Sequence, residues 1–187
     1  MLQIHIDGAK RSGKTTLANG ITRELSKMGM RPVLIDMDEV RVKIFGTNTG
    51  LPDSEKSLRY GDWVANAMYE TITPAVLSAG GTPILVLDHD RNQTYQKTKD
   101  LSDRLGTNLK FLVIKSPDIE EASRRSAKEE EHSDMKDFSH PDIRASFERS
   151  VERIRKSYDS FSSPDLLRIK QEIPEDMLRA AINFISV

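Results

Sequence analysis

The sequence predicts an α/β protein built on a five-stranded parallel sheet with helices on both faces. Three observations predict it. Short, apolar, β-branched runs alternate with longer stretches whose apolar residues recur at helical spacing. The first run leads directly into Gly8-Ala9-Lys10-Arg11-Ser12-Gly13-Lys14-Thr15-Thr16 and then into a helical stripe. Two further runs close on a carboxylate, Asp36 and Asp88, and open parallel sheets hold ligands at the carboxyl ends of their strands.

The elements follow in order. Leu2-Gln3-Ile4-His5-Ile6 alternates as a short strand. Leu17, Ala18, Ile21, Leu25 and Met28 mark the first helix, which Gly29 ends. Pro32-Val33-Leu34-Ile35-Asp36 reads as a strand buried on both faces. A polar loop over 46–54 precedes a long helix expected over 55–78, its apolar face Leu58, Gly61, Ala65, Met68 and Ile72. Arg59, Asp62, Asn66 and Tyr69 form a neighbouring polar stripe, and Pro74 should kink or divide the helix. Pro83-Ile84-Leu85-Val86-Leu87-Asp88 is the third strand, followed by a polar helix over about 94–105 and a strand over 109–115. Ser116-Pro117-Asp118 signals a helix start, with cap, proline and first-turn acid. The stretch from 127 to 140 is polar, and a mobile lid is expected around 124–140. A helix after Pro141, a fifth strand over 166–169 and a closing helix from Pro174 complete the chain.

At 187 residues the chain has the size of one domain, 1–187, with room for a core. Its 28 basic and 29 acidic residues nearly cancel, so no global charge marks a nucleic-acid or anionic-membrane binder. No apolar run approaches the ~20 residues that span a bilayer. Cysteine is absent, which excludes disulfides and thiolate metal sites. The chain enters a strand at once, so no secretory leader is read, and a cytoplasmic protein is the expectation.

Gly8 to Thr15, followed by Thr16, matches G-x-x-x-x-G-K-[ST] between a strand and a helix. Glycines at both ends let backbone N–H groups line a concavity, and a helix starting there adds its dipole. All nine residues, Gly8, Ala9, Lys10, Arg11, Ser12, Gly13, Lys14, Thr15 and Thr16, are therefore candidates to cradle a nucleoside triphosphate. Lys14 places a cation beside the outer phosphates, and Thr15 is the expected protein ligand of Mg2+. The expected architecture is the three-layer sandwich of the P-loop NTPases. Four apolar residues closing on Asp88 fit a Walker B strand, whose acid holds Mg2+ through water. No N-K-x-D motif of the GTPases is present.

Asp36-Met37-Asp38-Glu39-Val40-Arg41 follows the second strand. A carboxylate there suits a general base, and it equally suits a helix N-cap; the two roles are compatible. With the loop, this segment resembles the small P-loop kinases, the group of adenylylsulfate kinase, polynucleotide 5′-hydroxyl kinase, gluconate kinase and zeta-toxin-like kinases, whose pattern here is D-x-D-x-x-R. The resemblance implies an ATP- and Mg2+-dependent kinase acting on a hydroxyl group. It implies Asp38 as the base, Arg41 and Arg59 on the acceptor, and a lid arginine at Arg124 or Arg125. Two features depart from the adenylylsulfate kinases: Met37 stands where they carry glycine, and residues 128–137 are acidic rather than a basic lid run.

The leading reading is transfer of the γ-phosphate of ATP to a small hydroxyl-bearing molecule. A polynucleotide 5′-hydroxyl kinase is the nearest alternative and would need a basic groove from Arg41, Lys43, Lys56 and Arg59. The acidic segment would repel a polyanion, so nucleic acid is possible but not favoured. A nucleotide-bound switch without catalysis is the third reading.

Overall fold

A computed structural model describes residues 1–9, 11–45, 63–87, 91–118, 120–121, 124–125, 145, 148–149, 152, 163–170 and 174–187. The strands are β1 (Leu2–Gly8), β2 (Pro32–Asp36), β3 (Thr82–Leu87), β4 (Asn108–Ile114) and β5 (Leu166–Ile169). All pair in parallel, in the order β2-β3-β1-β4-β5. The helices are α1 (Lys14–Lys27), α2 (Met37–Phe45), α3 over 63–78, α4 (Arg91–Leu105) and α5 (Pro174–Ile185). No helix among the described residues is long and apolar enough to cross a membrane.

Period-two alternation divides β1 between two cores. Ile4 and Ile6 face α1 and α5, where Leu17, Ile21, Leu25, Met177, Ala181 and Ile185 close over them with Ile84, Val86, Leu112 and Ile114. Each aliphatic side chain buried this way contributes roughly 1.5–3 kcal/mol. The other face carries Leu85 and Leu87 under α2, α3 and α4, with Met37, Val64, Met68 and Leu101. Phe111 and Val113 of β4 extend it beside Tyr95.

Several expectations are corrected. β2 is an edge strand rather than one buried on both faces, and Val33 is 39% exposed. Strand order depends on where the crossovers land, so an apolar run does not separate an edge from a centre. A helix, α2, begins directly after β2, at Met37, one residue ahead of the Asp38 weighed as its cap. In α3 the segment Met68–Ile72 is a π turn, closed by the Thr73 N–H on the Met68 carbonyl, and Thr73–Ser78 continues as α-helix. Pro74 has no N–H to give, and the wider turn ahead of it takes up the mismatch. Tyr69, expected on the polar stripe, is buried at 4% exposure, one helical turn after buried Ala65. Asp118, not Ser116, starts the segment after β4, its Oδ1 accepting the Glu121 N–H at 2.7 Å.

Candidate active site

β1 ends on Asp7-Gly8, and Asp7 Oδ1 accepts the Gly8 N–H at 2.6 Å. A Cβ on Gly8 would lie 2.5 Å from Ser12 Oγ and 3.3 Å from Ile114 Cβ, so a side chain there would have to displace the Ser12 hydroxyl and crowd Ile114. Gly13 sits at φ 92 and ψ 18, left-handed backbone that glycine adopts without steric cost. Arg11 has a positive φ too, 64, with a side chain to accommodate. The Ser12 N–H donates to the Ala9 carbonyl at 3.1 Å, and the Leu17 N–H to the Gly13 carbonyl at 2.9 Å. Gly13 caps α1 without any side-chain cap. The first N–H groups of a helix have no acceptor within it, so the start of α1 is left able to take an anion. Lys14 folds back over this loop, its Nζ donating to the Gly8 and Ala9 carbonyls at 2.9 Å each.

The loop is joined to β2 through one buried carboxylate. Thr15 Oγ1 donates to Asp36 Oδ2 at 3.0 Å, and the Asp38 N–H donates to Asp36 Oδ1 at 2.9 Å. Asp36 thus caps α2 while holding the Thr15 hydroxyl. The capping role weighed for Asp38 belongs to Asp36; Asp38 stands exposed in the first turn of α2. Its backbone lies one hydrogen bond from Asp36, which lies one hydrogen bond from Thr15.

The arginine pair is distinguished by its contacts. Arg125 Nη1 donates to the Arg11 carbonyl at 2.9 Å, and its Nε to Glu121 Oε1 at 2.7 Å. Arg124 uses Nε and Nη2 on the same Glu121 carboxylate, both at 2.7 Å. These bonds pull the Glu121 carboxyl down to about 2. Lys10, Arg59 and Asp88 lie outside the described residues, as does the expected lid beyond Arg125. Arg41 lies on α2, one turn after Asp38. β3 ends at Leu87, beside Asp7 of β1, and Val86 pairs with Asp36 of β2, so the strand ends collect at one edge.

No group of three or more His, Cys, Asp or Glu able to hold a metal occurs among the described residues. A Mg2+ carried by a nucleotide needs fewer protein ligands, because phosphates and water fill most of its shell. The Thr15 hydroxyl with the Asp36 carboxylate beside it fits such an ion.

The sequence reading missed a polar layer beneath the loop. Gln3, His5 and Asp7 of β1 are fully buried. The His5 ring stacks on Phe111 with centroids 4.5 Å apart, and at 6.2 Å on Tyr69. Thr98 Oγ1 lies 3.1 Å from His5 Nδ1 and donates to Tyr69 Oη at 3.3 Å. Burial is the main cause pushing the Tyr69 phenol up; the Thr98 bond opposes it and the Asp7 charge adds to it. The signal available in sequence was the polar alternation Gln3-His5-Asp7 in a strand that must be central.

A parallel sheet with β1 at its middle, a glycine loop and a helix starting at the loop's lysine defines a P-loop α/β protein. The comparisons agree and point to one group. The adenylylsulphate kinase family profile matches residues 1–65. A protein of Archaeoglobus fulgidus named "Probable adenylyl-sulfate kinase" is 43% identical over 53 residues, 28% of this chain and 34% of the relative. The match thus spans about a third of that relative's length. The structure of the APS kinase of Mycobacterium tuberculosis in complex with AMPPNP and APS aligns over 99% of this chain and 97% of its own, with TM-score 0.65 and 14% identity. A sugar kinase of Janibacter sp. aligns over 100% and 95%, with TM-score 0.62 and 20% identity. At these identities the likeness shows the fold. The chain resembles the small P-loop kinases of the adenylylsulfate kinase kind.

Proposed function

We propose that the protein is an ATP- and Mg2+-dependent phosphotransferase that moves the γ-phosphate to a hydroxyl group on a small molecule. The observation that carries this is the contact series from Thr15 through Asp36 to the Asp38 backbone, which couples a phosphate loop to an exposed carboxylate. Lys14 and the start of α1 hold the β- and γ-phosphates. Thr15, with Asp88 as a further partner, would hold Mg2+, which would supply neutralisation of phosphate charge. Asp38 accepts the proton of the acceptor hydroxyl while its oxygen bonds to the γ-phosphorus; the bond from that phosphorus to the bridging oxygen breaks and ADP leaves. Arg41 and Arg59 bind the acceptor. The M. tuberculosis protein in complex with APS makes adenylylsulfate the first acceptor to test.

The test follows label from γ-labelled ATP and Mg2+ onto separate acceptors: adenylylsulfate, nucleosides, sugars, sugar acids and a 5′-hydroxyl oligonucleotide. Wild type runs beside Lys14→Ala and Asp38→Asn. Transfer to one acceptor, lost in both variants, is the expected result. Nucleotide binding with no transfer to any acceptor, in wild type and Asp38→Asn alike, overturns the kinase assignment.

A further inference from the structure

We propose that Glu121 and Arg125 brace the phosphate loop at its Arg11–Ser12 peptide, and that this brace sets the affinity for the nucleotide diphosphate core. The inference rests on the nucleotide-binding assignment of the loop and adds two residues to it as positioning groups.

The loop contains a strained point. Arg11 is held at φ 64, a conformation that brings its Cβ against its own backbone. Such a residue persists only where its surroundings over-determine it. The peptide that follows it is planar and trans, so its C=O and N–H point to opposite sides. Both are occupied. The Arg11 carbonyl accepts from Arg125 Nη1 at 2.9 Å, and the Ser12 N–H donates to the Ala9 carbonyl at 3.1 Å. One bond comes from within the loop, and the other comes from a residue 114 positions away. Together they fix the rotation of the peptide that delivers the chain into Gly13 and the start of α1.

Arg125 is itself aimed. A guanidinium is a rigid plane, so fixing one edge sets the direction of the other. Its Nε donates to Glu121 Oε1 at 2.7 Å, while Nη1 meets the loop. Glu121 is placed by its own N–H, which Asp118 Oδ1 accepts at 2.7 Å just after β4. Arg124 also bonds Glu121, and its side chain is 58% exposed against 36% for Arg125. The geometry therefore gives Arg125 a partner in the loop backbone and makes Glu121 the group that points it there.

A brace and a phosphate-touching arginine differ in what they change. A brace holds the loop for every nucleotide, so ADP and AMP-PNP lose affinity by the same factor when it is removed. An arginine reaching the γ-phosphate lowers AMP-PNP affinity and leaves ADP affinity alone. The experiment titrates both nucleotides, with Mg2+, into wild type, Glu121→Gln, Arg125→Ala and the Glu121→Gln/Arg125→Ala double variant, and into the first two in an Arg11→Gly background. Thermal melting of each variant checks folding. The expected loss is about tenfold for both nucleotides in Arg125→Ala, the effect of one hydrogen bond to a charged group. Glu121→Gln loses several-fold, and a Glu121→Gln/Arg125→Ala double variant loses no more than Arg125→Ala. In Arg11→Gly, where positive φ carries no penalty, the Glu121→Gln loss shrinks. Unchanged ADP affinity in Arg125→Ala overturns the brace while leaving the kinase assignment standing. Failure of wild type to bind either nucleotide overturns both.

Discussion

The Thr15 hydroxyl donates to Asp36 Oδ2 at 3.0 Å, across 21 residues of sequence. That bond ties the phosphate loop to the end of β2. The other oxygen of the same carboxylate caps α2 through the Asp38 N–H.

Asp36→Asn should therefore separate two effects of one residue. Asparagine keeps one acceptor oxygen for the Asp38 N–H, and its NH2 can only donate, so the Thr15 hydroxyl loses its acceptor. The cap on α2 is kept, because asparagine caps a helix as well as aspartate does, so stability should stay within about 0.5 kcal/mol of wild type. Loss of the Thr15 contact raises, several-fold, the Mg2+ concentration that supports half-maximal nucleotide binding. Urea unfolding and a Mg2+ titration with labelled ADP check the two outcomes. If the Mg2+ dependence stays at its wild-type value, Asp36 does not link the loop to α2.

Asp38→Asn tests the neighbouring carboxylate with the opposite profile. Asp38 is exposed and its side chain is not the cap. Stability should stay within about 0.5 kcal/mol of wild type. ADP affinity should also hold, because the loop is untouched. Phosphoryl transfer should fall roughly 100-fold or more, the range for a removed general base. A transfer rate near wild type would remove Asp38 from the reaction.

These two aspartates also show where sequence reasoning succeeds and where it stops. The loop from Gly8 to Thr16 was legible because its glycines, lysine and threonine are contiguous and flanked by a strand and a helix. β2, β5 and α5 were legible because each is punctuated by proline, charge or a clean apolar period. Which aspartate caps α2 was not, since that depends on the Thr15 hydroxyl arriving from elsewhere in the fold. Arg124 and Arg125 are adjacent in sequence, and only the bond to the Arg11 carbonyl distinguishes them. His5 looked like a polar residue in a strand, and its partner Thr98 lies 93 positions on.

Gly8→Ala probes the turn itself. The added methyl would meet Ser12 Oγ at 2.5 Å and Ile114 Cβ at 3.3 Å. Ser12 must move, or β1 must part from the end of β4. Overpacking of this kind costs about 1–3 kcal/mol. Because the displaced residue belongs to the loop, nucleotide affinity should fall with stability. Denaturant unfolding and ADP titration check both; a variant that binds ADP like wild type would show that the turn yields without disturbing the loop.

Thr98→Val probes the polar layer below the loop. The side chain is fully buried, and its hydroxyl serves both His5 Nδ1 and Tyr69 Oη. Valine keeps the shape and removes the bonds, so stability should fall by about 1–3 kcal/mol. ADP affinity should change little, as Thr98 sits on α4 and its hydroxyl meets His5 and Tyr69. A stability equal to wild type would mean that the layer is held by stacking of His5 on Phe111 rather than by this hydroxyl.

The cluster formed by Glu121 with Arg124 and Arg125 carries a pH dependence of definite sign. Bonds from Arg124, then Arg125, hold the Glu121 carboxyl at about 2 rather than the usual 4.5. The folded chain thus binds this proton less readily than the unfolded chain, and stability rises with pH across that interval. The contribution is fully present above about pH 4.5 and is lost as pH falls toward 2. Glu121→Gln cannot titrate, so the stability gap between wild type and this variant should be constant above about pH 5 and close below it. The side chains are 27%, 36% and 58% exposed for Glu121, Arg125 and Arg124, so salt should screen the pair and narrow the gap at any pH. Unfolding measured across this range, at low and high salt, checks both dependences. A gap that persists undiminished in acid would mean that Glu121 supports the fold by packing rather than by charge.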